Sequence, residues 1–414
     1  MGAVYIYYYN GGDTFYYYYD SQTFNNAFKN SIGLFLKLLF LPANTITIDT
    51  YESTNWLVYF KDPSGWTADK VYGMLSMVSF HSYPVMTILT ATVTFTGAWA
   101  LYMTFTDLYP GMYKQFALAI LFMPSVFFWG SGILKDSITF GCLGWMTYSA
   151  YLTFFKGRKV FKNAIWLLFT SYLAIQLKAY IVISFIPALL FWIFFYYRSR
   201  ITNQFLRVVL GPAIFAISIG LGFLMVRGLG DEYSKFSLQN VMDTAATFQK
   251  WHGYLAENTN ASGYSLGEFD GSLLNLFMKI PAAVNVTLFR PYLWEVNNAV
   301  MLAAALESVF ILGFTLYILL RNGVRRTVVS VFTNPTVFFC FFFSIVFAFA
   351  VGFSSYNFGA LVRYKIPCIP FFLAGLIILN LETTQKRLKD TAEKNQRKKH
   401  NRSLAAKRAM VSNA

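Results

Sequence analysis

Nine apolar runs set the strongest constraint on what this chain can fold into. Each approaches the length that a helix needs to cross about 30 Å of hydrocarbon. The runs cover residues 83–106, 112–130, 137–155, 163–178, 180–197, 206–228, 298–320, 335–353 and 366–381. Within a bilayer every backbone polar group needs a partner in the protein, and helices provide one. The sequence therefore predicts an all-α polytopic membrane protein with about nine to ten transmembrane helices.

Composition agrees with a membrane protein. The chain has 414 residues, of which 56% are hydrophobic and 13% are charged, whereas soluble domains carry about 25% charged residues. The net charge of +15 is concentrated in the C-terminal stretch "QKRLKDTAEKNQRKKHNRSLAAKRAM". A basic segment directly after an apolar helix marks the cytoplasmic side and contacts lipid headgroups. We therefore predict membrane lipids as partners and no nucleic acid.

Basic loops between the runs predict the orientation. "KGRKVFK", "RSRITNQFLR" and "RNGVRR" fall on the same side as the tail if the spans alternate, and that side is the cytoplasm by the positive-inside rule. The predicted regions are an extracytoplasmic N-terminal loop with interfacial helices (1–82), the first part of the bundle (83–228), an extracytoplasmic loop (229–297), the last part of the bundle (298–381) and a basic cytoplasmic tail (382–414). The short apolar run 32–42 is predicted to be an amphipathic helix in the membrane interface.

Two aspartates stand near the start, in "YYYNGGDTFYYYYDSQTF". The orientation places Asp13 and Asp20 outside the membrane, where a carboxylate on a glycine-containing turn can serve as a general base. The alternative interpretation is a polar loop within an interfacial belt of tyrosines.

Charged residues also stand at the predicted external ends of the spans. In "WGSGILKDS", Lys135 and Asp136 begin a span, and Lys178 is the single charge at the junction of two spans. Ionisable residues at this depth cost free energy and mark functional sites. The structural alternatives are an acid that stabilises a helix N-terminus and a lysine that snorkels to the interface.

A further set of cations precedes the last span. "RYKIPCIP" contains Arg363 and Lys365, and "LFRPYLWE" contains Arg290, with Glu295 as a structural partner. Arginine and lysine at the depth of lipid headgroups suit phosphate, because charge-assisted hydrogen bonds are strongest where water is scarce. The pattern favours a lipid-linked phosphate as substrate.

Cysteine and histidine patterns predict no metal site and no cofactor. Cys142, Cys340 and Cys368 all fall in apolar runs, and the three histidines are scattered without metal-ligand spacing. A divalent cation held between Asp13 and Asp136 is left open. No G-x-G-x-x-G or P-loop pattern is present, which disfavours a nucleotide-linked substrate.

The order of four features resembles the GT-C superfamily of membrane glycosyltransferases. These features are an external acidic loop, a span beginning at "KD", a lone lysine at a helix junction and "RYKIPCIP" before the last helix. The protein O-mannosyltransferases and the lipid A aminoarabinose transferases are the most similar groups. The resemblance implies transfer of a sugar, with inversion, from a polyprenyl-phosphate donor to a protein, lipid or glycan acceptor. It covers most of the chain through short motifs.

The resemblance also implies roles for the residues. Asp13 would accept the proton of the acceptor hydroxyl, with Asp20 as second choice, and Asp136 would be the second acid. Lys178, Arg363, Lys365, Arg290 and Lys135 would hold the phosphate. The sequence departs from the superfamily in one respect, since no membrane helix precedes the aspartate loop; we expect either unaided passage of this tail or a helix upstream of the given start.

Three alternative functions remain. A polysaccharide polymerase or ligase would use a lipid-diphosphate glycan and place its active residues in and around 229–297, including Arg227 and Arg290. A lipid or glycan transporter would carry its charges near the bilayer midplane. A non-enzymatic subunit would dock into a membrane complex. The lack of targeting signals favours a bacterial inner membrane with a periplasmic active face.

Overall fold

The regular structure is helical throughout the residues that can be described. The computed structural model describes residues 1–232, 263–267 and 272–412, and within these ranges the only β-type pairing is one isolated bridge between Gly263 and Asn357. The predicted all-α class is therefore confirmed for the described part of the chain. Most of the predicted loop 229–297 lies outside the described residues.

The N-terminal region forms a layer of short helices. They are α1 (Gly2–Val4) with a following π-helical turn (Tyr5–Tyr9), α2 (Asp13–Asn30), α3 (Ile32–Phe40), α4 (Tyr51–Thr54) and α5 (Pro63–Ser76). The helix expected within 32–42 is α3, which Ser31 caps through its side chain. Asp62 caps α5 by accepting a hydrogen bond from the Gly65 backbone, and Pro63 at the first helical position suits that start.

Packing of α2 against α5 builds this layer. Phe24 and Trp66 are both buried, with ring centroids 5.2 Å apart. A Cβ atom on Gly73 would lie 2.4 Å from the Phe24 ring, so the close approach of the two helices requires glycine at this position. The layer thus has a small aromatic core of its own, to which the second half of α2 contributes.

The remaining described helices, long and short, follow from residue 83. They are α6 (Tyr83–Leu108), α7 (Tyr113–Ile120), α8 (Pro124–Trp129), α9 (Lys135–Ala150), α10 (Val160–Tyr197), α11 (Gln204–Glu232), α12 (Leu273–Phe289), α13 (Ala299–Asn322), α14 (Val324–Thr333), α15 (Pro335–Ser355), α16 (Phe358–Tyr364) and α17 (Ile369–Ser412). A π-helical turn, Tyr151–Lys156, extends α9.

Four of the described helices are long and apolar enough to cross a membrane, which indicates an integral membrane protein. They are α6, α10, α13 and α15, and the bent pair α16 and α17 makes a fifth if it is counted as one span. The predicted count of nine to ten is not confirmed. The run 112–130 is divided into the short helices α7 and α8, and Pro124 at the start of α8 cannot continue the preceding helix.

A break divides α10 at Lys178. Its φ of −151° and ψ of 80° are not helical, although helix continues on both sides. The sequence predicts a junction between two spans at this lysine, and the break lies there. By length and composition, however, the two halves count together as one candidate span.

Glycines bring α6 and α9 unusually close. A Cβ atom on Gly97 would lie 2.1 Å from the Gly141 carbonyl oxygen, and one on Gly144 would lie 2.0 Å from the Gly97 carbonyl oxygen. Small residues of this kind let helix backbones approach in membrane proteins. The contact fixes α9, and with it the position of Asp136 at the N-terminus of that helix.

Candidate functional site

Asp13 lies at the first position of α2, directly after a turn formed by two glycines. Gly11 and Gly12 have φ values of 140° and 107°, a region that favours glycine. The Asp13 side chain is 44% exposed. Its Oδ1 accepts a hydrogen bond from the Tyr59 hydroxyl at 3.1 Å, and its Oδ2 accepts one from Arg363 Nη1 at 2.7 Å. Asp13 is thus held by two partners and still reaches solvent.

Asp136 lies at the N-terminus of α9 and is buried, with 1% of its side chain exposed. Lys178 Nζ forms an ion pair with its Oδ1, and Arg363 Nε donates to its Oδ2 at 2.5 Å. A buried carboxylate is tolerated only when it is paired and hydrogen-bonded. Two cations satisfy this requirement for Asp136.

Arg363 connects the two aspartates. It lies in the last turn of α16, and its guanidinium contacts Asp13 through Nη1 and Asp136 through Nε. The planar, multidentate guanidinium can bridge two carboxylates in this way, whereas a lysine ammonium is a point charge. Asp13, Arg363, Asp136 and Lys178 therefore form one connected set, called the ion-pair network below.

Lys178 completes the network from the break in α10. Its ammonium lies 4.1 Å from the centre of the Tyr364 ring and 6.0 Å from that of Tyr180. A cation over an aromatic face is stabilised by the ring quadrupole, more strongly where water is excluded. Tyr364 follows Arg363 directly in the chain, so α16 contacts the network through two successive residues.

Asp20, the second-choice base, lies outside the network. Its Oδ2 accepts hydrogen bonds from the backbone N–H groups of Val58 at 3.0 Å and Tyr59 at 3.1 Å. Burial raises the pKa of Asp20 from 3.8 to about 6, although the two backbone hydrogen bonds oppose the shift. Asp20 thus holds the segment that presents the Tyr59 hydroxyl to Asp13.

Lys135 lies beside the network without joining it. Its ammonium donates to Asp62 Oδ2 at 3.3 Å and to Ser64 Oγ at 2.9 Å, and it lies 6.0 Å from the centre of the Tyr59 ring. The pair of Lys135 with Asp62 ties the start of α9 to the start of α5. Lys135 therefore has an acidic partner in this structure.

Lys365 and Arg290 form a second, separate cluster. Lys365 is fully buried, and its ammonium donates to the Arg290 carbonyl oxygen at 3.1 Å and to Ser308 Oγ at 3.0 Å. The Arg290 guanidinium pairs with Glu295 and lies 5.0 Å from the centre of the Phe358 ring. The structure does not bring these two cations into the ion-pair network.

The two aspartates do not enclose a cation site in this arrangement. The Arg363 guanidinium contacts Asp13 and Asp136, so both carboxylates are already paired with a cationic side chain. Among the residues that the structure describes, no group of three or more histidine, cysteine, aspartate or glutamate side chains has a geometry suited to a metal ion.

An apolar cavity of about 520 Å³ lies beside the network. Val362, the neighbour of Arg363, lines it together with residues of α8 and α13, including Phe128 and Ala303. Glu307 is an acid in its wall, and Ser125 binds the Glu307 carboxylate through its backbone N–H at 2.7 Å and its hydroxyl at 2.6 Å. The cavity therefore offers an almost wholly apolar surface next to a charged site.

Sequence reasoning missed three residues at the site. Tyr59 binds Asp13, Asp62 binds Lys135 and Tyr364 covers Lys178. Asp62 precedes proline in "DPSG", so its pattern indicates a helix start and hides the ion pair. Tyr364 stands between Arg363 and Lys365 in "RYK", and this position next to two candidate site residues could have identified it. Tyr59 is one of many tyrosines, and nothing in the sequence distinguishes it.

No protein-family model, no curated protein and no solved structure matches this chain. Membership of the GT-C superfamily and the glycosyltransferase activity are therefore proposals, and the geometry of the site is the evidence for them.

Proposed function

We propose that the chain is a membrane glycosyltransferase of the GT-C type, which uses a polyprenyl-phosphate sugar on the extracytoplasmic face. The observation that carries the proposal is the convergence of Asp13, Asp136, Lys178 and Arg363 from four separate helices. The resemblance assigns these four residues to one active site, and the contacts between them are consistent with that assignment. Asp13 is their most exposed member.

The chemistry is an inverting displacement. The acceptor hydroxyl oxygen attacks the anomeric carbon, its proton passes to a carboxylate oxygen of Asp13, and a new C–O bond forms. The bond between the anomeric carbon and the phosphate oxygen breaks, and its electron pair leaves with the polyprenyl phosphate. Arg363 and Lys178 face the charge that develops on this phosphate, which is the main electrostatic contribution. Asp136 holds both cations in position.

The apolar cavity supports a lipid-linked donor. Its volume of about 520 Å³ and its lining by Phe128, Ala303 and Val362 suit part of an isoprenoid chain. Val362 precedes Arg363, so a chain in the cavity would place its phosphate close to the ion-pair network. A soluble nucleotide sugar has no use for such a surface.

Substitution of Asp13 tests the proposal. We expect Asp13→Asn to lower transfer at least about 100-fold, because a general base contributes roughly 100-fold or more, while expression and membrane insertion stay unchanged. The assay measures the loss of polyprenyl-phosphate sugars, by mass spectrometry, from a source-membrane lipid extract incubated with the purified chain. The matched control is Asp49→Asn, which removes an exposed carboxylate of the same N-terminal layer that pairs with Lys37.

Two outcomes would contradict the proposal. Consumption of the lipid-linked sugars by Asp13→Asn at the wild-type rate would remove Asp13 as the base. If the wild-type protein consumes none of them and retains none on purification, the glycosyltransferase assignment falls. The polymerase or ligase alternative would place its active residues in and around 229–297, including Arg227 and Arg290. Most of that loop lies outside the described residues, and Arg290 pairs with Glu295.

The orientation of the chain in the membrane is part of the same proposal. The basic loops favour a topology with α2 and the ion-pair network outside, at the periplasmic face of a bacterial inner membrane, and with the tail in the cytoplasm. This topology requires the two halves of α10, on either side of Lys178, to cross the membrane separately. A membrane-impermeant reagent that labels a cysteine at the exposed Tyr7 position in intact cells, but leaves one at Lys386 unlabelled, would agree with this topology. The reverse labelling pattern would overturn it.

A further inference from the structure

A cavity of about 400 Å³ lies between α14 and α17, away from the ion-pair network. Four basic residues and one acid line it, together with small polar and apolar side chains. The lining residues are Arg325, Arg326, Val329, Ser330, Glu382, Thr383, Lys386 and Arg387. Four cations against one carboxylate give the cavity a formal charge of +3 and predict an anionic ligand.

The acid does not neutralise these cations. Glu382 accepts a hydrogen bond from the Asn334 amide at 2.6 Å. In the part of the chain that the structure describes, none of the four basic residues forms an ion pair. Arg325, Arg326, Lys386 and Arg387 are all exposed. Their charges are therefore not neutralised by a described carboxylate and can attract a ligand from the solvent or from the membrane surface, although Arg387 also donates one hydrogen bond to a backbone carbonyl.

The cavity is a built feature, because its walls are fixed to each other. Arg321, at the end of α13, donates to Asn380 Oδ1 at 2.5 Å and to Thr384 Oγ1 at 3.0 Å, both on α17. Arg387 Nη2 in turn donates to the Arg321 carbonyl oxygen at 2.6 Å. These bonds hold α17 against the end of α13, from which α14 begins after Gly323.

The distribution of apolar and basic residues on α14 indicates a position at the membrane interface. The helix has ten residues and joins the candidate spans α13 and α15. Val324, Val328 and Phe332 follow a spacing of four, so they share one face, and they are 65%, 49% and 60% exposed. An amphipathic helix with an exposed apolar face and a basic side lies in the plane of the interface. Its basic residues then lie at the level of lipid headgroups.

We propose that this basic cavity binds the phosphate of an anionic membrane lipid. Its four cations complement the negative charge of a lipid phosphate and of adjacent headgroups. The exposed apolar face of α14 would then lie beside the acyl chains. Basic pockets beside membrane helices are suited to such headgroups. The site does not depend on the proposed transferase activity, because it shares no residue with the ion-pair network.

Native mass spectrometry of the full chain, stripped of lipid in a neutral detergent, tests the site. Phosphatidylglycerol and phosphatidylcholine are the probes, added separately. We expect the wild type to prefer phosphatidylglycerol and the Arg325→Gln, Arg326→Gln double variant to lose about tenfold or more of that preference. Arg325→Lys with Arg326→Lys, which keeps the charge, should retain most of it. The matched control is Arg158→Gln with Lys162→Gln, two exposed cations outside the cavity.

Four results would overturn the proposal. The first is equal binding of both lipids by the wild type. The second is the same loss in the Arg158, Lys162 control as in the cavity variant, which would indicate general charge attraction. The third is displacement of phosphatidylglycerol by inorganic phosphate at a similar concentration, which would make the cavity a site for a free anion. A cavity variant that elutes as a single species but retains the wild-type preference would count against the site equally.

Discussion

Asp13 and Asp20 lie about two turns apart on α2, yet their carboxyl groups have different surroundings. Asp13 is half-exposed and contacts Arg363, whereas Asp20 is 2% exposed and binds only backbone N–H groups among the partners described. A base that reacts with a substrate must be reached by it. If the chain carries out the proposed transfer, accessibility favours Asp13 over Asp20 as its base, and Asp20 would act by holding the segment that carries Tyr59.

Asp20 predicts a pH dependence of stability. Its pKa is raised by burial from 3.8 to about 6, so between these values the folded protein binds more protons than the unfolded chain. Stability should fall as pH rises through this window, by up to about 3 kcal/mol. In Asp20→Asn the amide oxygen can still accept both backbone hydrogen bonds, so this variant should lose the dependence and be more stable at neutral pH. Thermal unfolding in detergent at several pH values measures it.

Asp69 provides the comparison for this prediction. It is fully buried on α5, neither carboxyl oxygen has a hydrogen-bond partner among the described residues, and burial raises its pKa well above the ordinary value. The nearby Asp20 charge adds to the shift. Asp69→Asn should therefore flatten the pH dependence further. An Asp20→Asn protein with an unchanged pH profile would assign the dependence to Asp69 alone.

Residue types and positions were enough to nominate the members of the ion-pair network, since a charge in an apolar segment stands out in the sequence. The partners of each charge were not predictable. Lys365 follows Arg363 by two residues, but α16 ends between them at Tyr364. The two side chains therefore belong to different clusters. Spacing along the chain does not determine which carboxylate a cation meets across the bundle.

Among the helices, the contact between α6 and α9 depends on the absence of side chains. Gly97, Gly141 and Gly144 let the two backbones approach. A Cβ atom on Gly97 or Gly144 would clash with a backbone oxygen, and one on Gly141 would make a tight contact, 3.3 Å from the Thr94 Cα atom. Since α9 carries Asp136 at its start, this contact also sets the depth of the buried carboxylate.

Gly144→Ala should separate these two helices. Its Cβ atom would lie 2.0 Å from the Gly97 carbonyl oxygen, and overpacking of this kind costs typically about 1–3 kcal/mol. We expect a lower unfolding temperature in detergent and reduced transfer. Gly313→Ala on α13 is the control, because its Cβ atom would meet no atom within 4 Å. Equal behaviour of the two variants would show that the close approach does not matter for stability.

Hydropathy located the helices better than it counted spans. The runs beginning at 83, 298 and 335 correspond to α6, α13 and α15, which are candidate spans. Other runs became shorter or broken helices, since an apolar stretch buried within a bundle has the same composition as one that faces lipid. The break at Lys178 was predictable, because a single charge divided an apolar stretch of double length.

At the scale of the whole molecule, the charged network and the apolar cavity lie side by side. Arg363 belongs to the network and Val362 lines the cavity. This pairing matches the two parts of a lipid phosphate, a charged head and an apolar chain. The residues nominated from the sequence included the four members of the network together with others that lie outside it. The cavity is lined by residues of α1, the following π-helical turn, α8, α13 and α16, whose arrangement was not readable from the chain.

Ala303→Phe tests the cavity as a binding surface. Ala303 is exposed to the cavity, so a phenyl ring would fill part of its 520 Å³ without displacing core residues. We expect several-fold weaker retention of polyprenyl-phosphate lipids on purification, with unchanged stability. Leu302→Phe, on the same helix but outside the cavity lining, is the control. Undiminished retention by Ala303→Phe would remove the cavity as the site of the lipid chain.

The bond between Arg363 and Asp13 joins residues 350 positions apart in the chain. Synthesis proceeds from the N-terminus, so α2 and α9 are made long before α16. During that interval Asp136 has only Lys178 as a cationic partner from the network. The network is therefore completed only when α16 is synthesised, and a ribosome that stops before residue 358 releases a chain in which the network cannot form.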